Sequence, residues 1–253
     1  MRTDFKTLRV TDEGPILRVQ LNRPDAGNAI SSEVLTELLE VLRALEDDRF
    51  VRVMVLSGTG DHFCMGGDRA EFPALLEQDL SGTALRAVAA KAHRVCAALS
   101  QLGVVTIAQL HGDVIGAGLG LAVFCDLRVG ATTCRFRMPE VGLGVPPAWG
   151  GVLPRLIEEA GQAQVRRLLL TAEKFDATRA AQLSILHEVV PSDDLEAAVI
   201  RWTKPIARRD PTTMRITKSM LNARATAAQL SASGSFDDEL LTAAISRMNL
   251  SRR

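Results

Sequence analysis

The sequence predicts an α/β fold whose C-terminal region is made of helices. Up to about residue 150, segments with the hydrophobic period of strands alternate with segments that have the period of helices. Beyond that point only the helical period recurs, and the candidate helices are 159–170, 176–183, 193–209, 211–223 and 236–248. We therefore expect an α/β core in residues 1–195 and a helical C-terminal region in residues 196–253.

The first elements are a strand and an amphipathic helix. Ile16–Leu21 alternates apolar and polar side chains, which is typical of a half-buried strand. Ser31 or Ser32 can cap the helix that follows. Its apolar residues recur at helical spacing, at Val34, Leu35, Leu38, Leu39, Leu42 and Leu45.

The same alternation continues through the middle of the chain. Val51–Ser57 is expected to be a buried strand, and an amphipathic helix is expected at about 82–102. Val104–Leu110 is the next predicted strand. A short apolar helix at about 118–124 and a strand at about 126–131 complete the predicted core.

Charge and hydropathy argue against several classes of protein. The 30 Lys and Arg residues balance the 30 Asp and Glu residues and are scattered, so no basic face for nucleic acid is expected. The N-terminus carries charges where a signal peptide would be apolar, and apolar runs such as Leu119–Phe124 are too short to span a bilayer. We expect a cytoplasmic protein with neither nucleic acid nor a membrane as partner.

Cysteine and histidine usage does not predict a metal site. The four cysteines lack C-x-x-C spacing and the density of a secreted disulfide scaffold, so reduced thiols are expected. The four histidines share no metal-ligand spacing with them.

Two glycine-rich segments, 63–68 and 111–120, follow predicted strands. Glycine lets another molecule approach the backbone closely, and the start of a helix leaves N–H groups without intrahelical partners. Such groups suit an anion or a developing oxyanion. The alternative is that these glycines serve only tight turns and close packing. Neither segment contains the G-x-G-x-x-G dinucleotide fingerprint, and the chain has no phosphate loop and no G-x-S-x-G nucleophile elbow.

Several motifs occur in order along the chain: Leu21-Asn22-Arg23-Pro24 with Asn28-Ala29, Gly60 through Asp68, Gly112 through Asp126, Met138 through Gly144, 150–156 and 180–191. Together they resemble the enoyl-CoA hydratase/isomerase (crotonase) superfamily over about residues 15–220, whereas 236–253 fits it less well. The resemblance implies a crotonase-like spiral core of ββα units and a helical C-terminal trimerisation region. It also implies an acyl-CoA thioester substrate, no separate cofactor because coenzyme A belongs to the substrate, and a homotrimer or dimer of trimers.

The resemblance further implies catalytic roles for three residues. Gly67 and Ala117 match the positions whose backbone N–H groups hold the thioester oxygen, and such donors can contribute about 3–4 kcal/mol each. Glu140 matches the acid/base glutamate, a type of group that contributes about 10²–10⁴-fold to rate. Apolar neighbours would raise the pKa of Glu140 if they enclose it. The alternative is a glutamate on a solvent-exposed loop.

Coenzyme contacts implied by the resemblance are mostly through the backbone, at Arg23, Ala26, Ala29, Met65, Gly67 and Asp68. Arg23 or Arg69 could meet a phosphate of the coenzyme, and an ordinary surface position is an equal alternative for both. Asp68 is expected to fix its turn rather than to take part in chemistry. Candidates for lining the acyl pocket, with a plain core role as the alternative, are Phe72, Leu75, Leu76 and Trp149.

Gly120 departs from the pattern of the superfamily. Hydratases of the superfamily carry a second glutamate at this position, and the two glutamates together orient the water molecule and transfer its protons. Moving a double bond between the 3,4 and 2,3 positions needs only one base, so the sequence favours isomerisation while leaving hydration open. Decarboxylation or C–C cleavage with the same oxyanion hole also stays open, as does a non-catalytic acyl-CoA-binding role.

Overall fold

The computed structural model describes residues 2–79, 81–231 and 237–250. Its strands are β1 (Leu8–Glu13), β2 (Ile16–Leu21), β3 (Val53–Gly58), β4 (Val105–Leu110), β5 (Asp113–Ile115), β6 (Leu127–Ala131), β7 (Arg135–Arg137), β8 (Lys174–Asp176) and β9 (Glu188–Val190). Its helices are α1 (Ser32–Glu46), α2 (Glu71–Gln78), α3 (Thr83–Gln101), α4 (Ala117–Phe124), α5 (Val152–Ala160), α6 (Gln162–Thr171), α7 (Ala177–Gln182), α8 (Leu195–Ala207), α9 (Pro211–Ser231) and α10 (Asp237–Leu250).

The strands form two sheets. The larger has the order β1-β2-β3-β4-β6-β9, and all of its neighbours are parallel except the antiparallel pair β1 and β2. The smaller has the order β5-β7-β8. Because the carboxyl ends of parallel strands meet at one edge, the segments that follow β2, β3 and β4 lie together, where open α/β sheets bind ligands.

The two long helices of the N-terminal half confirm the sequence pattern. The side chain of Ser31 caps α1 by accepting a hydrogen bond from the N–H of Val34 at 3.3 Å. The apolar face of α1 is buried, and α1 packs against α3. Strand β2 buries every second residue, as the alternation predicts. These elements form the core that supports the segments at the carboxyl edge of the sheet.

The prediction that only helices follow residue 150 is wrong. Strand β8 extends the smaller sheet, and β9 joins the larger one beside β6. Each has three residues, which is too short for a period of two to be recognised. The predicted helix at 159–170 is also divided, because Gly161, with φ of 82°, ends α5 and precedes α6.

The C-terminal helices pack on the α/β core. Leu195, Ala198 and Val199 of α8 are buried with the core residues of the larger sheet. In α9 the buried ammonium of Lys218 donates to the carbonyl of Val104 at 2.9 Å and pairs with Asp126 at 2.8 Å. The division of the chain at residue 195 stays a prediction. Within the described residues, no helix is both long and apolar enough to cross a bilayer.

Candidate active site

A cavity of about 470 Å³ lies where the segments after β3 and β4 meet. Gly67, Ala117 and Glu140 all line it. Its walls are largely apolar and include Phe72, Ile115, Leu143, Val145, Ala148, Trp149, Leu241 and Ile245. The structure therefore brings together the three residues predicted to be catalytic.

Gly67 presents an unpaired backbone N–H. Ile30 donates to the carbonyl of Gly66 at 2.8 Å, and Asp68 donates to the carbonyl of Ile30 at 2.9 Å. Both bonds of this parallel bridge use the neighbours of Gly67, so its own N–H points away from Ile30. It has no acceptor among the described residues.

Ala117 presents a second unpaired N–H, because it is the first residue of α4. A helix start leaves such groups without an intrahelical acceptor, and the aligned peptide dipoles give it partial positive charge. The neighbouring N–H of Gly116 is used by the carbonyl of Arg137 at 2.9 Å. In the described part of the chain the N–H of Ala117 meets no acceptor.

The turns that carry these two donors are held side by side. Cys64 pairs with Val114, since its N–H donates to Asp113 at 3.1 Å and its carbonyl accepts from Ile115 at 2.9 Å. At Gly118 an added Cβ would lie 2.6 Å from the carbonyl oxygen of Cys64. Only glycine allows this approach, and it keeps the start of α4 against the 64–67 turn.

Glu140 stands beside the start of α4. Its backbone carbonyl accepts from the N–H groups of Leu143 and Val145, both at 3.0 Å, which fixes the turn that carries it. A Cβ on Gly116 would lie 2.8 Å from Glu140 Oε1, so the carboxylate is next to Gly116, the residue that precedes α4. The other oxygen, Oε2, is buried without a hydrogen-bond partner within the described residues.

Burial raises the pKa of Glu140 from 4.5 to about 7, and a hydrogen bond from its own backbone opposes this only in part. Taking the group out of water disfavours its charged form. A carboxyl group that titrates near neutral pH is suited both to accept and to return a proton. The side-chain atom Oε2 is enclosed, and Met138 nearby in the sequence is buried, whereas the apolar neighbours Val141 and Leu143 are exposed.

The residues predicted to contact the coenzyme surround two adjoining turns. Met65 donates to the carbonyl of Gly27 at 2.9 Å, and Arg23 donates to Ala29 at 2.7 Å and to Asp68 at 3.0 Å. Met65 and Gly67 line the cavity. The other four do not line it; they are Arg23, Ala26, Ala29 and Asp68.

Asp68 holds its turn together. Its Oδ1 accepts from the N–H groups of Ala70 at 3.1 Å and Glu71 at 3.2 Å, while Oδ2 accepts from Arg23. Burial alone would raise its pKa, but these hydrogen bonds outweigh burial and hold the pKa of Asp68 below its usual value. Arg23 uses two of its five N–H groups in the hydrogen bonds to Ala29 and Asp68. Arg69, in contrast, is exposed and lines the cavity.

Sequence reasoning missed part of the pocket wall. Leu241 and Ile245 of α10 are buried and contribute to the lining. The sequence predicts a helix at 236–248 that contains both residues, but its pattern does not indicate which distant segment they face. Of the four residues predicted to line the acyl pocket, Phe72 and Trp149 do line the cavity. Leu75 packs against the core instead, and the side chain of Leu76 lies outside the described residues.

Gly120 carries no side chain toward the cavity, and the indole of Trp149 fills the space in front of it. A Cβ added to Gly120 would lie 2.8 Å from Cζ3 and 2.9 Å from Cε3 of Trp149. Among the described residues that line the cavity, Glu140 is the only one with a carboxylate side chain.

The largely parallel α/β core and the cavity where two glycine-rich turns meet Glu140 agree with the resemblance of the sequence to the crotonase class of proteins. The sequence profile described as enoyl-CoA hydratase/isomerase matches residues 11–251, and the chain belongs to this family of enzymes. It is 30% identical over 221 residues, 86% of this chain and 82% of the other, to a crotonyl-CoA hydratase of Syntrophomonas wolfei subsp. wolfei.

Two further relatives agree with this assignment. A 2,3-dehydroadipyl-CoA hydratase of Escherichia coli (strain K12) is 31% identical over 214 residues, which cover 85% of this chain and 81% of that protein. The crystal structure of an enoyl-CoA hydratase from Shewanella pealeana superposes with a TM-score of 0.82 at 27% identity. That alignment covers 88% of this chain and 82% of the other.

Proposed function

We propose that this enzyme moves the double bond of an unsaturated acyl-CoA from the 3,4 to the 2,3 position, with Glu140 as its only proton carrier. The observation that carries the proposal is that Glu140 is the only carboxylate among the described residues that line the cavity, with its Oε2 buried. Isomerisation needs one base that serves two carbons in turn, whereas hydration calls for a second group to position water.

In this mechanism Glu140 takes a proton from C2 of a 3-enoyl thioester. The C–H electron pair moves into a dienolate whose negative charge lies on the thioester oxygen. The N–H groups of Gly67 and Ala117 donate to that oxygen, and each such donor can lower the barrier by about 3–4 kcal/mol. Glu140 then returns the proton to C4, and the double bond ends between C2 and C3. Neither water nor a second acid enters this balance.

The coenzyme part of the substrate would extend from the cavity along the two adjoining turns. Met65 is 44% exposed beside Gly67 and offers an apolar surface. Arg69 is exposed at the cavity and could meet a phosphate. Backbone contacts at Ala26 and Ala29, together with Arg23 and Asp68, stay predictions.

Hydration of a 2-enoyl-CoA is the second candidate. The names of the similar proteins favour it, since those from Syntrophomonas wolfei and Escherichia coli are both hydratases. In this protein Glu140 would have to handle the water and its protons without a second carboxylate.

Two substrates distinguish the candidates. With a 3-enoyl-CoA, isomerisation produces the ultraviolet absorbance of a conjugated thioester, and with a 2-enoyl-CoA hydration removes it. We expect faster turnover of the 3-enoyl substrate. Faster conversion of 2-enoyl-CoA to hydroxyacyl-CoA would overturn the preference for isomerisation. If neither substrate reacts, quenching of Trp149 fluorescence by acyl-CoA in a Trp202→Phe protein, which has one tryptophan, would indicate a binding role.

The pH dependence of the reaction is expected to follow the ionisation of Glu140. The base must be charged to accept a proton, and its pKa is raised to about 7. The kcat/KM for isomerisation should therefore rise about tenfold per pH unit below pH 7 and level off above it. The measurement is an initial-rate profile with 3-enoyl-CoA from acid to alkaline pH. A level profile that begins well below pH 6 would contradict the pKa assigned to Glu140.

We further propose that the chain assembles as a homotrimer or dimer of trimers through its C-terminal region. Three large apolar side chains of α9 are exposed: Ile216 at 48%, Met220 at 74% and Leu221 at 75%. Clustered exposed apolar residues are typical of protein contact surfaces.

Charges on this surface of α9 are expected to weaken the assembly. A Met220→Glu and Leu221→Glu double variant would bury two unpaired carboxylates at the contact, which is strongly unfavourable. Light scattering after size exclusion should show a lower mass than for the wild type. Leu170→Glu, on the exposed face of α6 at 69% exposure, is the matched control. An unchanged mass for the double variant would show that the subunit contact does not involve this surface of α9.

A further inference from the structure

The contact between Gly120 and Trp149 is close enough that each residue restricts the other. Gly120 lies one helical turn from Ala117, on the same side of α4, and Ala117 lines the cavity. A side chain at position 120 would therefore leave α4 toward the cavity. Its first atom would overlap the carbons of the indole at 2.8 and 2.9 Å and contact Val152 at 3.5 Å.

The backbone on which Trp149 stands is fixed from two sides. A Cβ on Gly150 would lie 2.6 Å from the sulfur of Cys96, so the chain is pressed against α3 immediately after Trp149. The carbonyl of Trp149 accepts from the N–H of Val152 at 2.9 Å, which joins it to the start of α5. These two contacts hold the backbone at Trp149 in place against α3 and α5.

The part of Trp149 that faces position 120 has no acid or base chemistry. Cζ3 and Cε3 are carbon atoms of the six-membered ring and can neither hold a water molecule strongly nor exchange a proton. A carboxylate at position 120 and a water bound to it would need the volume that the ring occupies. Trp149 thus excludes both from this side of the cavity, where Glu140 is the only carboxylate among the described lining residues.

We propose that Trp149 is a specificity-determining residue, which limits this site to proton transfer by filling the space of a second carboxylate and its water. This inference rests on the proposed isomerisation, because it concerns the choice between isomerisation and hydration. It predicts that positions 120 and 149 are energetically coupled: a carboxylate at position 120 can serve hydration only when the indole is absent.

The test compares Gly120→Glu, Trp149→Ala and the double variant with the wild type, using 2-enoyl-CoA and 3-enoyl-CoA. The double variant should hydrate 2-enoyl-CoA at least about tenfold faster than Trp149→Ala, a small part of the 10²–10⁴-fold that a well-placed acid or base supplies. Gly120→Glu alone should gain no hydration. Equal hydration by Gly120→Glu and the double variant, or no gain in the double variant, would overturn the proposal.

A second series does not depend on placing a glutamate in the core. Here Gly120 is left unchanged. The ratio of hydroxyacyl product to isomerised product should rise in the order wild type, Trp149→Phe, Trp149→Ala, as the space opens. A constant ratio in folded variants, with folding checked by thermal melting, would also overturn the proposal. The rate of the wild type with 3-enoyl-CoA is scored separately. A wild type without isomerase activity contradicts the proposed function, whereas the coupling between the two positions still tests the role of Trp149.

Discussion

Glu140→Gln is expected to lower kcat for isomerisation by about 10²–10⁴-fold, the usual contribution of a positioned acid or base. The amide keeps the shape of the side chain but cannot accept a proton from C2 or return it to C4. The affinity for a saturated acyl-CoA, which binds without reacting, should remain near that of the wild type. Steady-state rates and quenching of Trp149 fluorescence in the Trp202→Phe background measure the two effects separately.

Glu140→Gln, which lowers the rate, is also expected to improve stability at neutral pH relative to the wild type. The pKa of Glu140 is about 7 in the folded chain, against an ordinary 4.5. Its contribution to stability is complete below pH 4.5 and is lost as the pH rises to about 7. At about 1.4 kcal/mol for each pH unit between the two pKa values, the loss is roughly 3–4 kcal/mol. The glutamine variant has no such pH-dependent loss, so from acid to neutral pH its melting temperature should rise relative to that of the wild type.

Glu77→Gln is the matched control for both effects, because Glu77 is an exposed residue of α2 outside the cavity lining. It should change neither the rate nor the pH dependence of stability. Full activity of Glu140→Gln would remove Glu140 from the mechanism. An unaltered pH dependence of its melting temperature would contradict the buried, uncompensated state of the carboxyl group.

The parts of the fold that could be predicted are those whose burial repeats along the chain. Strand β2 and helices α1 and α3 each bury one face over at least six residues, and their periods therefore appear in the sequence. The three-residue strands β8 and β9 cannot show a period. They form because distant strands offer them unpaired backbone groups, and that information lies in the tertiary structure.

The candidate site divides in the same way. The turns around Gly67 and Ala117, and the glutamate at position 140, lie in local motifs that resemblance could identify. The contact of Gly120 with Trp149 joins residues that lie in different parts of the chain. The local sequence around either residue does not indicate that it contacts the other. Leu241 and Ile245 reach the cavity only through the packing of α10 against α2 and α3.

Ala117→Pro is expected to lower kcat/KM by about 10²–10³-fold, the typical cost of removing one oxyanion donor. Ala117 is the first residue of α4, where the helix does not use the N–H and where the φ of proline already fits. The change therefore deletes the donor, and places a ring carbon in the path of the oxygen, with little cost to the helix. Initial rates with 3-enoyl-CoA measure the loss. Free coenzyme A, which has no thioester carbonyl, should bind as it does to the wild type.

Gln162→Pro provides a close control, because Gln162 is the exposed first residue of α6 and also follows a glycine with positive φ. Both variants should melt near the wild-type temperature, and only Ala117→Pro should lose activity. Equal losses would indicate a general effect of proline at a helix start. Full activity of Ala117→Pro would mean that the thioester oxygen does not bind at the start of α4. In that case the glycine turns would serve packing alone, and Glu140 would act on a substrate held in some other way.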